Sequence, residues 1–256
     1  NDEASKVVKK DEMYIDIGAA SREDAEKKLG VRVGDVATCV FPFTPMADRK
    51  MLMAKAWDNR VGVALAVDAL RHLKGIKHPN EVFAVGTVQE EVGCRGAQTA
   101  AYAVRPDVAL ALDVGIATDV PGSSREYGEG TLGKGPQLCV MDGGMIPNRR
   151  LLDLAIDVAE REKIPHQFSL LERGTTDASR MHLQFEGVPS LYIGVATRYI
   201  HSQAGILHAD DYDHALKLIV ALVEALDARA VAGLTAIGKS GGSKAVGSKG
   251  KKASRL

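Results

Sequence analysis

The chain has 256 residues, 45% of them hydrophobic, enough to bury a full core in one large domain or one domain with a smaller companion. Lys plus Arg and Asp plus Glu both total 33, so no net charge draws the chain to nucleic acid, and no apolar stretch is long enough to cross a bilayer. The three cysteines, Cys39, Cys94 and Cys139, lie outside any C-x-x-C spacing, which fits a reducing compartment and implies a cytoplasmic location.

Residue 1 is Asn and opens a charged segment with no apolar signal core, so a piece of a longer polypeptide is expected. Residues 12 to 56 carry short apolar runs, Met13 to Ile17, Val36 to Phe41 and Met51 to Ala56, which predict a small β-rich unit over 1–48. A charged stretch from Ser21 to Leu29 interrupts them and begins like a capped helix. After Trp57 helices and strands alternate. A helix is expected over Asn59 to Leu73, ending before Gly75, and an apolar strand over Glu81 to Val88.

The series continues with a helix near Arg95 to Ala103, strands at Val108 to Val114 and Gln137 to Met141, and a helix from Asn148 to Glu162. A short strand at Phe168 to Leu171, a helix at Asp177 to Phe185, a strand at Ser190 to Val195 and an amphipathic helix at Asp211 to Leu226 complete it. Such alternation predicts an α/β layer fold over 49–230. The Gly/Ser/Lys-rich stretch 236–256 has almost no large apolar residue and is expected to form a flexible tail.

Open α/β sheets place their sites beyond strand ends, and four polar clusters fall there. Asp58 follows an apolar run and begins a helix, where an N-cap is the plain alternative. Glu90 and Glu91 end the run Val82 to Val88; adjacent carboxylates repel unless a cation or proton lies between them, and a solvated acidic loop is the alternative. Asp113 interrupts a run apolar enough for a central strand, where an unpaired carboxylate costs several kcal/mol, so it needs a partner. His201 follows the strand at 190–195, and a satisfied structural histidine is its alternative.

Carboxylates with imidazole suit Zn²⁺ or a similar divalent ion, and two such ions need a shared carboxylate plus terminal ligands. A further carboxylate that binds no metal can take a proton from the attacking water and pass it to the leaving group. The adjacent glutamates offer one residue for each task. These segments lie far apart in sequence, so spacing alone is weak evidence.

In order, Ala56-Trp57-Asp58-Asn59-Arg60-Val61-Gly62, Thr87-Val88-Gln89-Glu90-Glu91-Val92-Gly93, Ala111-Leu112-Asp113-Val114, Gly174-Thr175-Thr176-Asp177-Ala178 and Thr197-Arg198-Tyr199-Ile200-His201-Ser202 resemble the glutamyl aminopeptidase family of metallopeptidases. That family includes tetrahedral aminopeptidases, and the resemblance covers about residues 5 to 228. It implies a mixed central sheet flanked by helices, as in zinc exopeptidases, preceded by part of a β-rich dimerisation domain. It further implies two divalent ions, Zn²⁺ or Co²⁺, with Asp58 bridging, Glu91 and His201 completing one site, Asp113 serving the other and Glu90 as general acid and base. Gly174, Thr176 and Asp177 would line the substrate pocket, although a Gly-Thr turn before a helix at Asp177 accounts for them equally. Peptides are the implied substrates and a homo-oligomer, dimers building a tetrahedral dodecamer, the implied assembly, with no nucleic acid or membrane partner. Family members also carry an upstream His-x-Asp, and this sequence has none before residue 58.

Three functions are thereby set against one another: hydrolysis of N-terminal peptide bonds through metal-activated water, a non-catalytic assembly subunit with an incomplete metal site, and a glycosidase pairing Glu90 with Asp113. The last leaves His201 without a role, and 5% aromatic content offers little for sugar stacking.

Overall fold

A computed structural model describes residues 6–123 and 130–236. The chain divides into two compact units, Asn1–Val40 and Phe41–Leu256. The expected tail at 236–256 falls, apart from Ala236, outside the described residues.

Among the described residues of the first unit none is buried. Its helix α1 (Arg22–Lys27) forms where the sequence predicts it, because the Ser21 hydroxyl accepts the Asp24 N–H and caps the first turn. The apolar runs Met13 to Ile17 and Val36 to Phe41 form no strand, and Val33, Val36 and Val40 stand exposed. A strand is stable only when paired, and among the described residues neither run joins a ladder.

The second unit is an α/β layer fold, as the alternation predicts, and its sheet is mixed with helices on both faces, as the resemblance implies. Its strands are β1 (Thr44–Pro45), β2 (Met51–Ala54), β3 (Ala109–Ile116), β4 (Gln137–Met141), β5 (Gln167–Leu170), β6 (Ser190–Arg198) and β7 (Gly205–His208). Their order is β1-β2-β7-β6-β4-β5, with β3 parallel to β6 along its other edge. Pairs β4–β5 are parallel, whereas β1–β2, β2–β7, β6–β7 and β4–β6 are antiparallel.

Strand β6 is the spine, because its alternate side chains feed two cores. Leu191, Ile193 and Val195 meet helices α2 (Trp57–Leu73), α4 (Arg149–Arg161) and α6 (Ala209–Ala225) through Leu65, Leu151, Leu218 and Leu222. Tyr192 turns to the other face, against Ala111, Cys139, Met145 and Ala178, the last opening the short helix α5 (Ala178–Met181). Helices α3 (Arg95–Val104) and α7 (Ala228–Thr235) complete the layer. Asn148 caps α4 by accepting the Leu151 N–H, and buried Asp211 of α6 accepts the N–H groups of Gly133 and Gly135 ahead of β4. Among the described residues no helix is long and apolar enough to cross a membrane.

One expected strand is corrected. Glu81 to Val88 runs extended but joins no ladder, and Phe83, Val85 and Val88 are exposed. Its apolar composition suits a buried strand, yet no described strand lies beside it to accept its backbone bonds. The expected helix at Asp177 to Phe185 shortens to α5, ending at Met181.

Candidate metal centre

Asp58, Glu91 and His201 come together from three segments. The His201 Nε2 lies 3.2 Å from the Asp58 Oδ2 and 3.4 Å from the Glu91 Oε2. Two donors each about 2.1 Å from a shared tetrahedral ion sit roughly 3.4 Å apart, so this nitrogen and two oxygens have the chemistry and spacing of a divalent-metal site. Burial holds the Asp58 carboxyl above its ordinary range, the nearby Glu91 charge adds to this, and His201 opposes it.

Each side chain is placed by its backbone. Asp58 sits at the mouth of α2 with non-helical φ −80° and ψ 105°, and its side chain makes no capping bond. The capping task falls to Asn59, whose Oδ1 accepts the Gly62 N–H at 2.9 Å while its Nδ2 donates to the Leu112 carbonyl of β3 at 2.8 Å. The N-cap alternative for Asp58 therefore fails, and its carboxylate remains available. Gly62 presses α2 onto β3: a Cβ there would lie 2.0 Å from the Leu112 oxygen.

His201 and Tyr199 both adopt left-handed backbone, at φ 57° and 59°, in the turn after β6. Non-glycine residues rarely hold that conformation without support. Here Arg198 makes a two-pronged pair with Asp119 at 2.7 Å on each oxygen, fixing the end of β6 from which the turn departs. The Ser202 hydroxyl closes the turn by donating to the Tyr199 carbonyl at 2.7 Å.

Glu90 points into a second group, within which Glu90, Cys94 and Asp177 each offer a ligand atom inside 4.8 Å. The Cys94 thiol donates to the Glu90 Oε1 at 3.3 Å. Burial first, and then the Glu90 charge, push the Cys94 thiol up to about 12, so it stays protonated and keeps that bond. Burial also raises the Glu90 carboxyl, opposed by the Cys94 bond and reinforced by the Asp177, Glu91 and Asp58 charges. The Asp177 Oδ2 accepts from the Thr87 hydroxyl at 2.5 Å, and its Oδ1 is buried with no hydrogen-bond partner.

Asp113 does not join the His201 group. It is only 8% exposed, accepts the Val114 N–H at 2.7 Å, and is pushed up to about 8. Burial is the main cause; the Val114 bond opposes it and the Asp58, Glu90 and Asp177 charges add to it. Of the residues expected in a pocket, Asp177 faces Glu90, Thr176 is buried, and the Gly174 carbonyl accepts from the Gly143 N–H at 2.8 Å. Sequence reasoning missed Asn59, Cys94 and the Asp119–Arg198 pair as parts of this centre. For Cys94 a signal existed, since it lies four residues after Glu90.

Residues 1–218 match the M42 glutamyl aminopeptidase family. A putative aminopeptidase of Acetivibrio thermocellus is 42% identical over 208 residues, covering 81% of this chain and 61% of that protein. The crystal structure of a TET aminopeptidase from the marine sediment archaeon Thaumarchaeota archaeon SCGC AB-539-E09 superposes with TM-score 0.88 at 45% identity, over 91% of this chain and 66% of that one. The Pyrococcus horikoshii TET1 peptidase, described as assembling into a tetrahedron or a large octahedral shell, superposes with TM-score 0.73 at 32% identity, over 82% of this chain and 60% of that one. The chain thus spans less than two thirds of the length of these relatives. With the ordered motifs and this fold, the matches establish that the chain belongs to the M42 glutamyl aminopeptidase family.

Proposed function

We propose that this chain is the catalytic part of a metal-dependent aminopeptidase that removes N-terminal residues from peptides. The observation carrying the reading is the Asp58, Glu91 and His201 donor set at 3.2 and 3.4 Å, with the half-buried Glu90 carboxyl next to it in the chain. Two divalent ions, Zn²⁺ or Co²⁺, would be held here by Asp58, Glu91 and His201 together with Asp113. When bound, such ions supply a water of lowered pKa and polarise the scissile carbonyl.

Glu90 takes the proton from the attacking water and delivers it to the departing amine. Its burial supports that role, because a carboxyl raised from its ordinary range accepts a proton more readily near neutrality. Cys94 holds one Glu90 oxygen, leaving the other for the water. Asp177, steadied by Thr87, borders the same space and with Thr176 and Gly174 is assigned to substrate. Residues 49–230 form the catalytic domain in this reading, and 1–48 belong to a dimerisation domain. The assembly is homo-oligomeric, like the Pyrococcus horikoshii shells, and buried thiols at Cys94 and Cys139 suit a cytoplasmic setting.

A second reading, a non-catalytic assembly subunit, is favoured by the position of Asp113 outside the His201 group. Metal analysis separates the two: two ions per chain support the enzyme, and one or none in a large particle supports the scaffold. The direct test is release of free amino acids from short peptides upon addition of Zn²⁺ or Co²⁺. Glu90→Gln should lower kcat about 100- to 10,000-fold while leaving metal content unchanged. Unchanged turnover in that variant would sink the assignment.

A further inference from the structure

Asp142 follows the last residue of β4 and is only 5% exposed, a costly place for a carboxyl unless its oxygens are used. Its Oδ1 accepts three bonds, from the Gly144 and Met145 N–H groups at 2.8 and 2.7 Å and from the Thr175 hydroxyl at 3.0 Å. The first two fold residues 142–145 into a tight turn, closed by the Asp142 N–H donating to the Met145 carbonyl at 2.9 Å. The third crosses 33 positions of sequence to the loop that carries Gly174, Thr176 and Asp177. A turn alone needs only the first two.

Backbone contacts join the same two segments. The Gly143 N–H donates to the Gly174 carbonyl at 2.8 Å, and a Cβ at Gly143 would lie 2.8 Å from that oxygen. A Cβ at Gly144 would lie 2.6 Å from the Thr175 Oγ1 and 2.8 Å from the Ser179 Cβ, so the turn comes this close only because it is built of glycine. Beneath the contact the sheet sets the spacing: Met141 pairs with Leu170, and the Leu171 N–H donates to the Met141 carbonyl at 3.0 Å. The register slips between Cys139 and Met141, and such an irregularity re-aims the residues that follow. At its far end the loop is pinned again, where the Thr87 hydroxyl donates to Asp177, and Thr176 is buried between the two pins. Glu90 hangs from neither pin, since the Gly93 and Cys94 N–H groups donate to its own carbonyl at 3.0 and 2.8 Å and the Cys94 thiol holds its Oε1.

We propose that Asp142 is a positioning residue for peptide binding: acting through Thr175, it latches the loop 174–177 so that substrate meets a preformed wall. Its substrate side rests on the enzymatic reading, and its latch on bonds within the chain. A loop already held in its bound shape spares the substrate the cost of ordering it. Loss of the latch therefore weakens binding and appears in KM, whereas Glu90, held separately, keeps kcat.

The test is Thr175→Val, which keeps the shape of an exposed side chain and removes only the hydroxyl donor. In release of amino acids from short peptides with added Zn²⁺ or Co²⁺, KM should rise about tenfold and kcat should stay within about twofold. Thr175→Ser keeps the hydroxyl and should bring KM back to within about twofold of the unaltered chain, which a packing role of the methyl group would not do. Gly144→Ala should raise KM in the same way with Asp142 and Thr175 both present. An unchanged KM in Thr175→Val, a loss of kcat in place of the rise in KM, or a serine variant that behaves like the valine one would overturn the proposal. Hydrogen exchange at the Gly143 amide separates the latch from the enzymatic reading: it should quicken about tenfold in Thr175→Val and not in Thr175→Ser, whether or not peptides are cleaved. A chain that releases no amino acid removes the enzymatic reading alone, whereas unchanged exchange at Gly143 in Thr175→Val overturns the latch.

Discussion

The carboxylates around His201 and the lone carboxylate of Asp113 lie within reach of each other's charge, and they are built differently. Asp58 and Glu91 are gathered around the His201 nitrogen at the surface, whereas Asp113 is buried with one backbone N–H for company. The first group supplies three donor atoms close enough together for the proposed cation. The second is neutral until positive charge arrives, because burial lifts its carboxyl to about 8. In that reading the centre is ready on one side and dormant on the other.

The largest expected effect tests that division directly. His201→Ala should reduce Zn²⁺ affinity, measured by calorimetry, by at least about 100-fold, since outer partners of metal ligands alone account for 10- to 100-fold. Asp113→Asn should leave the tighter binding step within roughly threefold, because that step belongs to the His201 group. Equal losses in the two variants would erase the distinction.

The second effect concerns Asp113 without metal. Its carboxyl ionises near its ordinary value of 3.8 in the unfolded chain but only at about 8 in the fold. Between those values the unfolded state releases the proton first, so stability falls as pH rises from 4 to 8, and the loss is complete above 8. Chelator-treated protein should lose on the order of 2 kcal/mol, or roughly 4–8 °C in Tm, between pH 5 and pH 8. Asp113→Asn should show a flatter profile in the same thermal melts.

The smallest effect lies on Glu90. Cys94→Ala should lower kcat about three- to tenfold with KM unchanged, as one hydrogen bond of about 1 kcal/mol is lost. Cys94→Ser should restore most of it by keeping a donor, which a purely packing role of the thiol would not produce.

How much of this could be read from the residues differs between fold and centre. Strands β3, β4 and β6 and helices α2, α4 and α6 announce themselves through apolar runs and periodicity, with Asn148 marking the start of α4. Val82 to Val88 reads as a strand for the same reason and still joins no ladder, because pairing depends on what lies beside it and composition does not. Four-residue β7 and the small-residue helix α7 carry too little pattern to stand out. Within the centre, ordered motifs and family resemblance pointed to Asp58, Glu91 and His201, though spacing could not bring them together across 143 positions of chain. The division of labour between Asp58 and its neighbour Asn59 was invisible, because either residue type caps a helix.

Gly62 carries a consequence for mutational tolerance. A Cβ there would meet the Leu112 oxygen at 2.0 Å and the Asn59 Oδ1 at 2.6 Å, so any side chain must lift the end of α2 that carries Asp58. At Gly233 of α7 nothing lies within 4 Å of an added Cβ. In a library of variants, even alanine should be rejected at 62 and accepted at 233, although alanine favours helix at both. The rejected variants should lose metal affinity along with stability, making a residue that touches no ion one of the most sensitive reporters of ion binding.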